Sequence, residues 1–180
     1  MTFVIELVLP QTPRTTTVMV PSYDPELDDV RSVLGDVCEA LEDAGARFCV
    51  QICSKERWPV TVRTDLSLVL EQLAGVLAAL AAGLPTKLEL YEQGVERVVS
   101  LVPGGSTVAV ECDDMIRKPS SVTTSAVLDR RMVIERLCRL ASDFLAAADA
   151  CCAPLARHPW FVAFRLEVSR SVDLVRASRW

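Results

Sequence analysis

Residues 66–84 read LSLVLEQLAGVLAALAAGL and form the one membrane-like stretch of the chain. Helix-capping residues precede the stretch, and Gly83 follows it as a helix stop. Apolar residues cover nearly every side of the predicted helix, which is typical of a helix buried in the centre of a fold. The stretch is about long enough to cross a bilayer, but Glu71 and Gln72 lie near its middle. We therefore predict a buried core helix over Leu66–Ala82 and no membrane span.

The chain before this helix predicts two similar units. Two strands precede a strongly amphipathic helix that begins at Asp24 and Pro25 and ends at Gly45, and two more strands precede the core helix. A shift of 39 residues places Leu27 of the first helix on Leu66 of the second, as in two ββα-like units, although any two amphipathic helices align in this way. The four predicted strands cover Thr2–Leu9, Thr15–Val20, Phe48–Cys53 and Val60–Arg63.

The chain after the core helix predicts an antiparallel meander followed by helices. Residues 113–123 contain Pro119 and several Ser and Thr, and predict a flexible connector. Ser125–Ala150 predicts a long helix, and Pro159 opens a last segment for which helical spacing is favoured over strand alternation. The three meander strands are predicted over Thr86–Tyr91, Glu96–Val102 and Thr107–Glu111.

These elements predict a single α+β domain over residues 1–180. Its sheet is mixed or antiparallel, built from the two ββα-like units and the three-stranded meander, with helices mainly on one face and a C-terminal helical pair. A chain of 180 residues with 51% hydrophobic residues can bury a sizeable core, which excludes disorder.

The charge and hydropathy restrict the class of partner. The net charge of −5 and the pI near 5.0 argue against binding to nucleic acid or to an anionic membrane, and would suit a basic protein. The positive mean hydropathy of +0.29 indicates a large core, or apolar surface that a partner or a second copy in a homodimer covers. Residues 1–6 lack the cationic start of a secretion signal, so we expect a cytoplasmic protein with reduced cysteines.

No catalytic, cofactor or metal motif stands out. His158 lies a few residues beyond Cys151 and Cys152, so a Cys–His pair is conceivable, but its place before a proline favours a polar residue that starts a helix. Cys49 and Cys53 would lie on one face of a strand roughly 13 Å apart along its axis, too far to share zinc or form a disulfide. We expect no metal and no cofactor.

The meander supplies the candidate binding residues. Where its apolar positions face the core, Glu89, Tyr91 and Glu111 face outward. Asp113 and Asp114 follow at the end of the last strand, without the Gly or Asn/Asp pattern of a calcium loop. An aromatic side chain among acids is suited to protein recognition. We predict a partner-binding site of Glu89, Tyr91, Glu111, Asp113 and Asp114.

The segment Val60-Thr61-Val62-Arg63, the Leu/Ala-rich helix after it, and Lys87–Glu92 with its hairpins resemble small α+β immunity-type proteins of high-GC bacteria. The resemblance covers about residues 48–112 and lies in element order and composition. It implies a non-enzymatic protein that neutralises a cognate toxin by binding it. An acidic secretion chaperone, or a small enzyme or small-molecule-binding domain with a pocket between sheet and helices, is the alternative.

Overall fold

The computed structural model describes residues 2–11, 19–92, 95–115 and 124–178. In these residues the predicted α+β class is confirmed: β1 and β2 form one antiparallel pair, and β3-β4-β5-β6 form a four-stranded antiparallel sheet in that order. The strands are β1 (Phe3–Val8), β2 (Arg47–Ile52), β3 (Thr86–Glu92), β4 (Val95–Gly104), β5 (Thr107–Asp114) and β6 (Thr124–Asp129). The helices are α1 (Val30–Asp43), α2 (Ser67–Ala82), α3 (Arg130–Cys151), α4 (Ala153–Ala156) and α5 (Pro159–Ala177), with a π-helical turn at Val62–Leu66.

Helix α2 is the central helix, as predicted. Leu66, Val69, Leu73, Leu77 and Leu80 are each fully buried. By length and composition Val62–Ala82 could cross a membrane, but 56% of its most apolar window is buried within the fold, as in a core helix. The helix ends at Gly83, whose φ of 72° is the left-handed conformation that glycine adopts without strain.

The four-stranded sheet has one covered face and one open face. The covered face packs against α2 and α3. The meander β3–β5 is confirmed, but the predicted start of the long helix at Ser125 is wrong, because residues 124–129 form β6 and α3 begins at Arg130. Asp129 caps α3 by accepting a hydrogen bond from the Met132 amide at 2.8 Å. The buried residues of the covered face are Leu88, Leu90, Val99, Leu101, Val108, Val110, Cys112, Ala126 and Leu128.

The strand predicted over Val60–Arg63 is wrong, and the second ββα-like unit therefore lacks one of its strands. Hydrogen bonds that cap a helix outweigh the strand preference of the β-branched residues here. Asp65 Oδ2 accepts a hydrogen bond from the Thr61 amide at 2.7 Å, and Thr61 Oγ1 accepts one from the Thr64 amide at 3.3 Å. The chain consequently turns into a helix at Val62.

The first helix begins later than predicted. Asp24 and Pro25 belong to a turn closed by backbone bonds to the Asp24 carbonyl, and Asp29 caps α1 through the Arg31 amide at 2.7 Å. Leu27 is therefore outside the helix and 85% exposed. The strand predicted over Thr15–Val20 falls mostly on residues 12–18, outside the described residues.

The C-terminal segment is a helix, as favoured from its spacing. α5 starts at Pro159 and packs mainly against α2. Phe144 of α3 lies edge-on to Phe164, with ring centroids 6.1 Å apart, and Phe161 completes this aromatic cluster. Of the connector predicted over 113–123, Asp113 and Asp114 belong to β5, and residues 116–123 lie outside the described residues.

Candidate protein-binding surface

The open face of the four-stranded sheet carries the predicted binding residues. We call it the outer sheet face. Side chains alternate along each strand, so Glu89 and Tyr91 of β3 point away from the core that Leu88 and Leu90 enter. Tyr91 is 58% exposed. The outer sheet face consists of Lys87, Glu89, Tyr91, Glu96, Val98, Ser100, Val102, Ala109, Glu111, Asp113, Ser125 and Val127.

Strand register sets the neighbours on this face. Val98 of β4 lies opposite Glu89 of β3 on one side and opposite Asp113 of β5 on the other. Tyr91 lies opposite Glu96. Side chains directly opposite one another in an antiparallel pair have Cβ atoms about 5 Å apart. The register therefore places an aromatic ring and carboxylates around a central valine.

The outer sheet face is predominantly acidic. Glu89, Glu96, Glu111 and Asp113 contribute four carboxylates, and Lys87 contributes one ammonium group. The chain as a whole also carries a net negative charge, −5. The face therefore attracts basic groups over distances up to the Debye length, about 8 Å at physiological ionic strength.

A row of apolar side chains crosses the same face. Val102, Ala109 and Val127 lie opposite one another on β4, β5 and β6. Val127 is 71% exposed and Val102 is 44% exposed. The row lies at one end of the face, next to Glu111, and Tyr91 lies at the other end beside Glu96. A face with apolar, acidic and aromatic side chains has the mixed composition of protein interfaces.

The structure separates Asp114 from the other four predicted residues. Asp114 faces the opposite side of the sheet, where its Oδ2 lies 3.6 Å from Arg97 Nη2. The Arg97 guanidinium in turn lies 4.4 Å from the ring centroid of Trp58. The adjacent positions 113 and 114 point to opposite faces because the strand continues through both. Glu89, Tyr91, Glu111 and Asp113 are thus brought together, and Asp114 is not.

The edge of the sheet at β3 is blocked at Glu89. Gln72 of α2 donates from Nε2 to the Glu89 carbonyl and accepts at Oε1 from the Glu89 amide, both at 2.8 Å. These bonds occupy two of the backbone groups that an added strand would need. A partner therefore has better access to the face of the sheet than to this part of its edge.

His158 has a structural role at the start of α5. Its Nδ1 accepts a hydrogen bond from the Trp160 amide at 3.4 Å, which caps α5. Its ring lies 4.8 Å from the ring of Tyr23, whose hydroxyl donates to Asp36 Oδ2 at 2.6 Å. Desolvation raises the pKa of Tyr23 well above its usual value, and Asp36 reinforces the shift.

The cysteines are mostly core residues. Cys152 is fully buried and its thiol lies 3.9 Å from the Val37 carbonyl; burial raises its pKa to about 12, which disfavours the nucleophilic thiolate. β2 ends before Cys53, whose buried thiol lies 3.7 Å from the Val110 carbonyl of the four-stranded sheet. Within the described ranges, no group of three or more His, Cys, Asp or Glu is placed to hold a metal ion.

Comparison with protein-family models, with curated proteins and with solved structures found no match to this chain.

Part of this surface was missed by the sequence reasoning. The sequence pattern predicts a helix at Val127, so it gives no indication that this residue lies on the sheet. Val98 and Val99 are adjacent and both apolar, and the strand therefore lacks a clean alternation from which its outward side could be read. Glu96 and Ser100 on the same strand indicate its outward side, because residues four apart share one face of a strand and both of these are polar.

Proposed function

We propose that this protein acts without catalysis, by binding a basic protein partner on the outer sheet face. One observation carries the proposal: the register gathers four carboxylates, Tyr91 and an exposed valine row on the face of the sheet that α2 and α3 leave open. Tyrosine is among the side chains that contribute most of the binding free energy at protein interfaces, neighbouring apolar contacts exclude water, and charges set the association rate and exclude wrong partners.

The class of protein that fits this surface best is an immunity protein acting in the cytoplasm. A toxin that cleaves nucleic acid needs a basic cleft to hold phosphates. An acidic face is complementary to such a cleft and would prevent substrate from entering it. The resemblance of residues 48–112 to immunity-type proteins supports the same assignment.

The first experiment reverses the charge of the outer sheet face. In the outer-face triple variant, Glu89, Glu111 and Asp113 are each replaced by lysine. The partner is recovered by affinity capture with the wild-type chain, identified and purified, and association rates are measured by surface plasmon resonance at two salt concentrations. We expect slower association by about tenfold or more at low salt and a smaller difference at high salt.

A second triple variant serves as the matched control. Glu26, Asp43 and Asp173 are exposed acids outside the four-stranded sheet, and their replacement by lysine changes the net charge by the same amount. We expect near-wild-type association from this variant. Equal slowing by both triple variants would show that overall charge, and not the outer sheet face, attracts the partner, and would contradict the proposal.

The contribution of the apolar part is tested separately. Tyr91→Ala and Val127→Asp should each weaken equilibrium binding by about tenfold or more, because a hot-spot side chain contributes roughly 2 kcal/mol. Both side chains are exposed, so the melting temperature should change little. If neither substitution changes the equilibrium affinity for the partner, the interface lies elsewhere.

A further inference from the structure

A groove on the helical side of the molecule lies between α3 and α5. Its volume is about 530 Å³, which is in the range of pockets that hold small organic molecules. Its floor is apolar and is formed by Ile134, Cys138 and Val175. The helices that form it lie on the covered side of the four-stranded sheet, so the groove is separate from the outer sheet face.

Three arginines surround this floor, and two of them are already neutralised. Arg131 Nε lies 2.7 Å from Glu135 Oε1, and Arg139 Nε lies 3.5 Å from Asp143 Oδ2. Both are pairs of residues four apart on α3, and each guanidinium therefore has a carboxylate on its own helix.

Arg176 is different. This residue of α5 lines the groove and makes no ion pair with any residue in the described part of the chain. Its charge reaches the floor: burial raises the pKa of the Cys138 thiol, the Arg176 guanidinium opposes this rise, and the Glu135 carboxylate, which also lines the groove, reinforces it. The groove thus combines an apolar floor with one cation that lacks a counterion among those residues.

We propose that this groove binds an anionic amphiphile, a small molecule with a single carboxylate on an apolar chain. The carboxylate accepts hydrogen bonds from the Arg176 guanidinium, whose planar fork matches two carboxylate oxygens. The apolar chain lies on Ile134, Cys138 and Val175. One unpaired guanidinium favours a monoanion over a phosphate with two charges, and the three arginines disfavour a cation of the same shape.

Calorimetric titration tests both parts of this ligand. Decanoate, hexanoate and decyltrimethylammonium are titrated into the full chain below their micelle concentrations. We expect decanoate to bind most tightly, since each buried methylene contributes up to about fourfold in affinity. The cationic amphiphile should bind at least about tenfold more weakly than decanoate. Equal affinities for the anionic and cationic amphiphiles would overturn the proposal.

Two substitutions locate the site. Arg176→Gln should weaken decanoate binding by about tenfold or more, because it removes the charged fork that binds the two carboxylate oxygens. Arg170→Gln is the matched control, an exposed arginine of α5 outside the groove, and should leave the affinity unchanged. Ser142 is exposed at the groove, and Ser142→Phe should block it by placing a ring over the floor. Circular dichroism verifies that all three variants fold.

The experiments on the groove and those on the outer sheet face can be interpreted independently. The groove variants should leave partner association unchanged, and the outer-face triple variant should leave decanoate binding unchanged. Decanoate affinity that persists in both Arg176→Gln and Ser142→Phe, or that falls equally in Arg170→Gln, would show binding elsewhere and contradict the assignment.

Discussion

The Gln72 side-chain amide of α2 forms two hydrogen bonds with the backbone of Glu89 in β3, one from each amide atom and both 2.8 Å long. This is the pattern that a neighbouring strand would form. One side chain therefore fixes the central helix to the strand that displays Glu89 and Tyr91. Gln72, one of two polar residues near the middle of this mostly apolar helix, thus has a structural reason to be there.

Replacement of Gln72 tests this connection. Gln72→Leu keeps the approximate size and the helix propensity but removes both bonds to Glu89, so we expect a loss of about 1–2 kcal/mol in the free energy of unfolding, at roughly 1 kcal/mol per bond. Urea denaturation measures the loss. Gln72→Glu keeps the acceptor and loses the donor, and should also destabilise. A Leu variant as stable as the wild type would mean that water replaces Gln72 at no cost.

Arg130 provides a second link between helix α2 and the sheet. Its guanidinium donates to the Leu80 carbonyl at the last turn of α2 and to the Gly105 carbonyl in the β4–β5 turn, the latter at 3.3 Å. A cation at a helix C-terminus interacts favourably with the helix dipole. We expect Arg130→Gln to lower the unfolding free energy by about 1–3 kcal/mol, the value of hydrogen bonds from a charged group.

The neighbouring arginine is the control for this substitution. Arg131 is exposed and, among the described residues, its guanidinium pairs with Glu135 of its own helix at 2.7 Å. Arg131→Gln removes the same charge one residue away and should cost about 0.5 kcal/mol or less. Equal losses in the two variants would show that charge alone, and not the cap of α2, accounts for the effect.

Elements with a single strong pattern could be predicted from the sequence. The core helix is apolar on all sides and ends at a glycine, and the meander strands are separated by turn residues. The β6 strand could not be predicted, because Ser125–Asp129 is too short for its alternation to compete with the long helical pattern that follows. At Val60–Arg63 the β-branched residues indicated a strand, and the capping groups of Thr61 and Asp65 decided otherwise.

The candidate site could be predicted to the extent that strand alternation determines it. The outer sheet face holds four of the predicted residues, Glu89, Tyr91, Glu111 and Asp113. The fifth, Asp114, is adjacent to Asp113 in the sequence, but β5 continues through both positions, so their side chains point to opposite faces. The bonds of Gln72 and Arg130 depend on contacts between residues 17 and 50 positions apart, for which no local pattern gives a signal.

Gly75 within α2 and Gly83 directly after it give a third prediction. Gly75 is exposed within the helix, and a Cβ placed on it would meet no atom within 4 Å. Gly75→Ala should raise the unfolding free energy by about 0.5–1 kcal/mol, because alanine loses less backbone entropy on folding. Gly83 has a φ of 72°, so Gly83→Ala should destabilise the protein. Thermal denaturation of the two variants should give shifts of opposite sign.

The last prediction concerns the buried thiols and alkaline pH. Cys38 and Cys152 are both fully buried. Burial raises the pKa of each thiol above the ordinary 9.0, and that of Cys152 reaches about 12. In the unfolded chain these thiols ionise from about pH 9, while the folded protein keeps them protonated. Their contribution to stability is therefore complete below pH 9 and is lost as the pH rises towards 12.

Urea unfolding under reducing conditions between pH 7.5 and 10.5 measures this loss. Each such thiol steepens the fall of the unfolding free energy by up to about 1.4 kcal/mol per pH unit. Cys152→Ala should lower stability at pH 7.5, because it leaves a cavity, yet make the alkaline fall shallower by about that amount. Val37→Ala creates a comparable cavity beside the same thiol without removing a titrating group, so it should keep the full wild-type slope. A slope unchanged in Cys152→Ala would mean that this thiol ionises as readily in the folded protein as in the unfolded chain, which its complete burial contradicts.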